Sequence, residues 1–248
     1  MLCPPRLCQC LWFGWFGFNA GYTLGVTDGR WRTAALICIN TTLSPAASVF
    51  GCLAIERYLK GFWDASAAMN AVVAGLVGIT GPCGVVQPGG AVVIGLLSGV
   101  IYSMGWRLHE RIQVDDPVHA IAVHAWPGAW GCIASGLFAT PKQVRTLGYV
   151  AHAGFFYTGN ADQLGVQLLG VLVLLCWTVG TSGLVFGLLS AGGLLRISSE
   201  DEAAGVDVAE HGEKLLVDMT RTRVQQATRT SSRSVEVEAD AAHTTSAV

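Results

Sequence analysis

The run from Ala65 to Trp106 contains no Asp, Glu, Lys or Arg. It is about twice as long as the roughly 20 apolar residues that one helix needs to cross a bilayer core of about 30 Å. Two turn signals, Thr80-Gly-Pro-Cys-Gly84 and Gln87-Pro-Gly-Gly90, divide it into two spans. Four further charge-free runs stand beside it: Leu11–Thr27, Thr33–Ile55, Pro117–Thr140 and Leu164–Leu195. The sequence therefore predicts an all-α membrane protein with six transmembrane helices, because lipid supplies no hydrogen-bond partners for any other backbone.

Charge placement sets the organisation. The chain has 15 Lys and Arg and 17 Asp and Glu, and half of these lie after Leu195. This divides it into an N-terminal leader (1–10), a transmembrane domain (11–195) and a polar tail (196–248) whose composition predicts disorder after about residue 214. The formal net charge of −2 and the lack of a basic stripe exclude a nucleic-acid partner. Among the cluster residues, one orientation places Arg57, Lys60, Arg107, Arg111 and Arg196 inside against Arg30, Arg32, Lys142 and Arg145 outside. This is a small bias, and it favours a cytoplasmic C-terminus. All but two of the 31 glycines precede Arg196, as expected where helices approach through small residues. Gly75-Leu-Val-Gly78 and Gly95-Leu-Leu-Ser-Gly99 are examples.

Polar groups inside the spans draw attention because they are costly there. His124 stands in a span otherwise built from Ala, Val, Ile, Trp and Gly, and it reads either as a packing histidine or as a functional one. His119, five residues earlier, would lie about 140° away around a continuous helix, which excludes a shared metal pair. Asp115-Asp116-Pro117 reads as a cap with proline at the first helical position. Thr41, Thr42 and Ser44-Pro45 read as a local bend with back-bonding hydroxyls. The eight cysteines form no disulfide or metal pattern, and the chain shows no catalytic constellation or cofactor motif, so a non-enzymatic protein is expected. The aromatic run at the start, with polar Asn19, argues for a true span over a signal peptide.

Leu11-Trp-Phe-Gly-Trp-Phe-Gly-Phe-Asn-Ala-Gly21 closely resembles the sixth helix of the ammonium transporter family (Amt, methylammonium permease and Rhesus proteins). Ala74–Thr80 resembles its eighth helix, and Val114-Asp-Asp-Pro with Ala122-Val-His124 its tenth. Gln163–Gly170 resembles the eleventh, and Gly205–Glu213 the cytoplasmic motif that follows. The resemblance implies an inverted-repeat transporter fold, of which this chain matches the second five-helix repeat and the final helix. It also implies a pore lined by the second pore histidine at His124, an outer-gate phenylalanine at Phe18 and an aromatic at Trp15. Leu11 and Ala120 fall at its hydrophobic wall.

By the same resemblance, the substrate is ammonium or ammonia, the setting is a lipid bilayer of the plasma membrane, and the assembly is a homotrimer. A cytosolic regulator at the tail is implied as well. Four departures accompany it. No counterpart of the first repeat is found, so the chain is expected to be a fragment or truncated form, with the pore completed by a missing first half. Tyr22 stands at the recruitment-site serine, His119 at an aspartate, and Ala125-Trp126-Pro127 where small residues follow the pore histidine. Proline there is expected to kink the helix and re-aim His124. The alternatives to transport are an ammonium-sensing or regulatory relative that does not transport, and a non-functional remnant.

Overall fold

Each charge-free run becomes helix in the computed structural model, which describes residues 5–149 and 152–204. All regular structure among the described residues is helical. The long elements are α1 (Pro5–Gly21), α2 (Arg30–Lys60), α3 (Ala65–Thr80) and α4 (Pro88–Arg111). After a π-helical turn (Ile121–Ala125) come α5 (Trp126–Phe138), the short α6 (Pro141–Thr146) and α7 (Phe155–Thr158), α8 (Asp162–Ala191) and α9 (Ser199–Ala204). Residues 5–10 continue α1 without a break. The Gly205–Glu213 motif and the tail expected to be disordered lie outside the described residues. Contacts divide the chain into two units, Met1–Thr178 and Val179–Val248, with α8 running through the division. The site belongs to the first.

α2 is the hub of that unit, packed on α3 and α4, with α1 laid against α2 and α3 and α5 against α3 and α4. Small residues let these axes come close. A Cβ on Gly95 would stand 2.1 Å from the Ser44 carbonyl oxygen, and one on Gly99 would stand 2.0 Å from that of Ser48. Only a bare Cα fits at such a seam. The core is correspondingly rich in alanine: Ala67, Ala71, Ala74, Ala91, Ala122 and Ala134 are buried together with Ile37, Leu76, Ile79 and Tyr102.

Capping and cross-links set where the helices stop. Asp64 starts α3 by accepting the Ser66 and Ala67 amides, each at 3.0 Å. Gly61, at φ 80°, ends α2 in the left-handed conformation that glycine adopts freely. Asn40 of α2 donates to the Cys83 and Val86 carbonyls at 2.8 and 3.0 Å, tying the α3–α4 turn to the bundle. The hydroxyls expected to back-bond around Pro45 are used differently, within a continuous α2. Thr42 back-bonds to Cys38, but Ser44 donates across to Gly75 of α3 at 2.8 Å. Thr41 accepts from Asn19 of α1 at 3.0 Å. Two of the three hydroxyls are thus cross-links between helices.

The segment carrying His124 departs furthest from expectation. Asp116 is a cap, accepting the amides of Ala120, Ile121 and Ala122 at 2.7, 2.9 and 3.3 Å. Pro117, however, lies in a turn ahead of the helix, and His119 follows it at φ 57°. The offset of about 140° between His119 and His124 assumed one continuous helix and does not apply, since His119 is outside it. Pro127 produces a change of helical register. It lacks the N–H that would continue an α-helical ladder, and the wider π turn Ile121–Ala125 immediately precedes it.

Candidate pore face

Leu11, Trp15 and Phe18 recur at the four- and three-residue intervals that bring side chains onto one stripe of a helix. Tyr22, just beyond the end of α1, is four residues further on. Trp15 is pinned by its indole N–H, which donates to the Thr80 hydroxyl at 2.8 Å, while that hydroxyl back-bonds to Leu76 at 2.7 Å. Phe18 meets Trp15 edge to face at 6.0 Å and leaves 68% of its surface exposed. Tyr22 pairs with Tyr149 at 6.5 Å. These two tyrosines border a cavity of ≈ 360 Å³ that also takes in Asp28, Arg30 and Thr33. Leu11, Ala120 and His124 are exposed on the same unit. Trp15 packs on the buried cluster that contains Ala122 and Val123, the two residues before His124 in the π turn.

At the opposite ends of these helices lies a polar network that spacing did not reveal. Glu56 is fully buried and held by both terminal nitrogens of Arg107, each at 2.8 Å, with Lys60 at 2.9 Å and the Ser103 hydroxyl also bonded to it. Lys60 bridges on to Asp64 at 2.7 Å. That bond is the chief cause holding the Asp64 carboxyl below its ordinary value, and the two capped amides add to it. The Trp106 ring receives Lys60 at 4.8 Å and Arg107 at 4.6 Å over its face and stacks on His119 at 5.4 Å. His119 is fixed further by a chain of hydrogen bonds. Asn70 donates to the Tyr102 hydroxyl at 3.1 Å, and that hydroxyl is hydrogen-bonded in turn to His119 Nδ1 at 3.0 Å. His119, a departure from the family pattern, is therefore an ordered part of this network. Partners 17 to 51 residues apart share no local period. The signals available were Glu56 itself, an acid set among basic residues at the end of a long apolar run, and the four-residue spacing of Glu56, Lys60 and Asp64.

Closely packed helices poor in charge, with α2, α4 and α8 long and apolar enough to cross a bilayer, define an integral membrane protein. A family model, that of the Ammonium Transporter Family, matches residues 8–215. Ammonium transporter 3 of Dictyostelium discoideum is 34% identical over 203 residues, covering 82% of this chain and 47% of its own length. Ammonium transporter Amt2 of Archaeoglobus fulgidus is 41% identical over 202 residues, covering 81% and 42%. Among solved structures, the Sensor Amt Protein superposes with a TM-score of 0.70 at 32% identity, over 83% of this chain and 48% of that one. Mep2 of Saccharomyces cerevisiae gives 0.71 at 29% identity, over 78% and 43%. The chain belongs to the ammonium transporter family. It spans about half the length of the relatives it matches.

Proposed function

We propose that this chain forms the His124-bearing side of an ammonium conduction path. The supporting observation is the stripe Leu11–Trp15–Phe18, with Leu11 and Phe18 exposed and Trp15 half-buried between them, on a helix that also packs against α2 and α3, in the unit that exposes His124. Ammonium is a hydrated cation, and its dehydration in a low-dielectric channel favours loss of a proton. Phe18 and the Tyr22–Tyr149 pair offset part of that dehydration cost at the mouth through the faces of their rings. Trp15, Leu11 and Ala120 form a dry wall below. His124 then offers one ring nitrogen as donor and the other as acceptor to the passing neutral molecule. Potassium, which has no proton to lose, is rejected.

In this reading the path is completed by the other half of the transporter, the assembly is a homotrimer in the plasma membrane, and the C-terminus faces the cytoplasm, open to a regulator. An ammonium-sensing role is the second reading, favoured by the likeness to the Sensor Amt Protein. The test is methylammonium uptake in cells lacking their own transporters, with this chain expressed alone and together with the first half of a relative. Uptake that His124→Ala reduces at least tenfold supports conduction. Uptake unchanged by that substitution overturns the role of His124, and ammonium binding with no uptake in either arm selects the sensing reading.

A further inference from the structure

The π turn that carries His124 meets one residue of α4 at both ends, through a hydrogen bond at one and a facing carboxylate at the other. His109 is 5% exposed and sits at the polar end of the bundle. Its Nε2 accepts a hydrogen bond from the Trp126 indole N–H at 3.0 Å. An indole nitrogen can only donate, so His109 Nε2 carries no proton and the ring's remaining proton is on Nδ1. That Nδ1–H has no hydrogen bond of its own and faces the buried Asp116 carboxylate at 3.6 Å. Asp116 in turn collects the amides of Ala120, Ile121 and Ala122, the first residues of the segment. Trp126 is the residue immediately after the segment's end.

We infer that His109 is a positioning residue for His124, holding the Ala120–Trp126 segment in its π register through Trp126 at one end and Asp116 at the other. The role of His124 rests on the pore reading above; the clamp itself does not. A π turn is a strained choice of register, and Pro127 alone supplies a break without selecting where His124 points. The hydrogen bond to Trp126 at one end and the Asp116 carboxylate facing Nδ1–H at the other do select it. Trp126 lies against this seam closely enough that a Cβ on Gly105 would stand 2.6 Å from its ring, so the indole has little freedom to find another partner.

Two conservative substitutions separate the halves of the clamp. His109→Gln keeps an acceptor near Nε2 for Trp126 but loses the donor facing Asp116. His109→Asn keeps a donor near Nδ1 for Asp116 but leaves the Trp126 indole unpaired. In the full chain reconstituted in lipid nanodiscs, amide hydrogen exchange at Ala120–Ala122 should quicken severalfold in His109→Gln, because Asp116 loses the N–H that faces it. His109→Asn should leave those amides protected and shift the Trp126 indole resonance. In both, exchange in α3 should match wild type. A uniform rise in exchange across α3 and α5, or no change at Ala120–Ala122 and Trp126, overturns the clamp and leaves His109 as ordinary packing. In the uptake assay both variants should lower the maximal rate while leaving KM for methylammonium unchanged. If wild type carries no methylammonium, the pore reading fails, while the exchange and indole data still decide the clamp.

Discussion

Arg107→Leu is the sharpest test of how the polar end of the bundle is held. Glu56 is 0% exposed, and its carboxylate is paired along both oxygens by the Arg107 guanidinium at 2.8 Å. Removing one partner of such a buried pair strands an uncompensated charge, which costs about 3–5 kcal/mol. Two groups soften the loss here: Lys60 remains at 2.9 Å from Glu56, with 27% of its side chain in contact with solvent, and the Ser103 hydroxyl still donates. The lower end of the range, about 3 kcal/mol, is therefore expected. The cation over Trp106 at 4.6 Å is lost as well, and at this half-buried site it adds about 0.5–1 kcal/mol. The paired variant Glu56→Met with Arg107→Leu removes both charges and should recover to within about 1 kcal/mol of wild type, because well-packed apolar replacements of a buried pair are close to neutral. Reversible unfolding in mixed micelles, run as a double-mutant cycle, gives the coupling directly. A cost below about 1 kcal/mol for Arg107→Leu, or simple additivity in the double variant, would refute the reasoning.

Three other predictions follow from the same structure. Gly95→Ala should cost about 1–3 kcal/mol of unfolding stability, since its Cβ would meet the Ser44 carbonyl at 2.1 Å and part α2 from α4. Gly180→Ala in α8, with nothing within 4 Å, should be neutral or gain up to about 1 kcal/mol, so equal effects would discredit the seam. Asp64 has its folded-state carboxyl held below the ordinary 3.8. Its stabilisation is thus fully present above that value and lost as pH falls through the lower folded one. Asp64→Asn should flatten the acid limb of α3 amide protection, and an unaltered limb would count against the assignment. Tyr22→Leu removes one ring of the mouth pair while keeping an apolar side chain there. If the rings attract the cation, KM for methylammonium should rise about two- to fivefold, corresponding to about 0.5–1 kcal/mol, whereas an unchanged KM would exclude that attraction.

The helices were legible in the sequence because charge cannot be hidden in lipid: the runs free of Asp, Glu, Lys and Arg overlap α1 to α5 and α8. The close seams were legible too, since Gly75, Gly78, Gly95 and Gly99 stand at the helix crossings. The same charge rule concealed Glu56. It treats charged clusters as the ends of spans, while the fold draws α2 three residues below Thr33 and five beyond Ile55 and buries the acid against α4. Pro127 announced a break, but whether a proline yields a kink or a π turn depends on tethers from distant helices, and no local pattern encodes His109 meeting Trp126. The placing of Pro117 failed for a related reason. Asp116 reaches forward four to six residues to its amides, which leaves room for a turn that a simple cap-plus-proline pattern omits.

α8 has one more consequence. Its 30 residues measure about 45 Å along the axis, against a hydrocarbon slab of about 30 Å, and none of its side chains is buried within the protein. A rod longer than its solvent is thick has to lean, bend or thicken the lipid around it, and each response costs fractions of a kcal/mol per Å. Bilayer thickness thereby acts on this helix as a mechanical load.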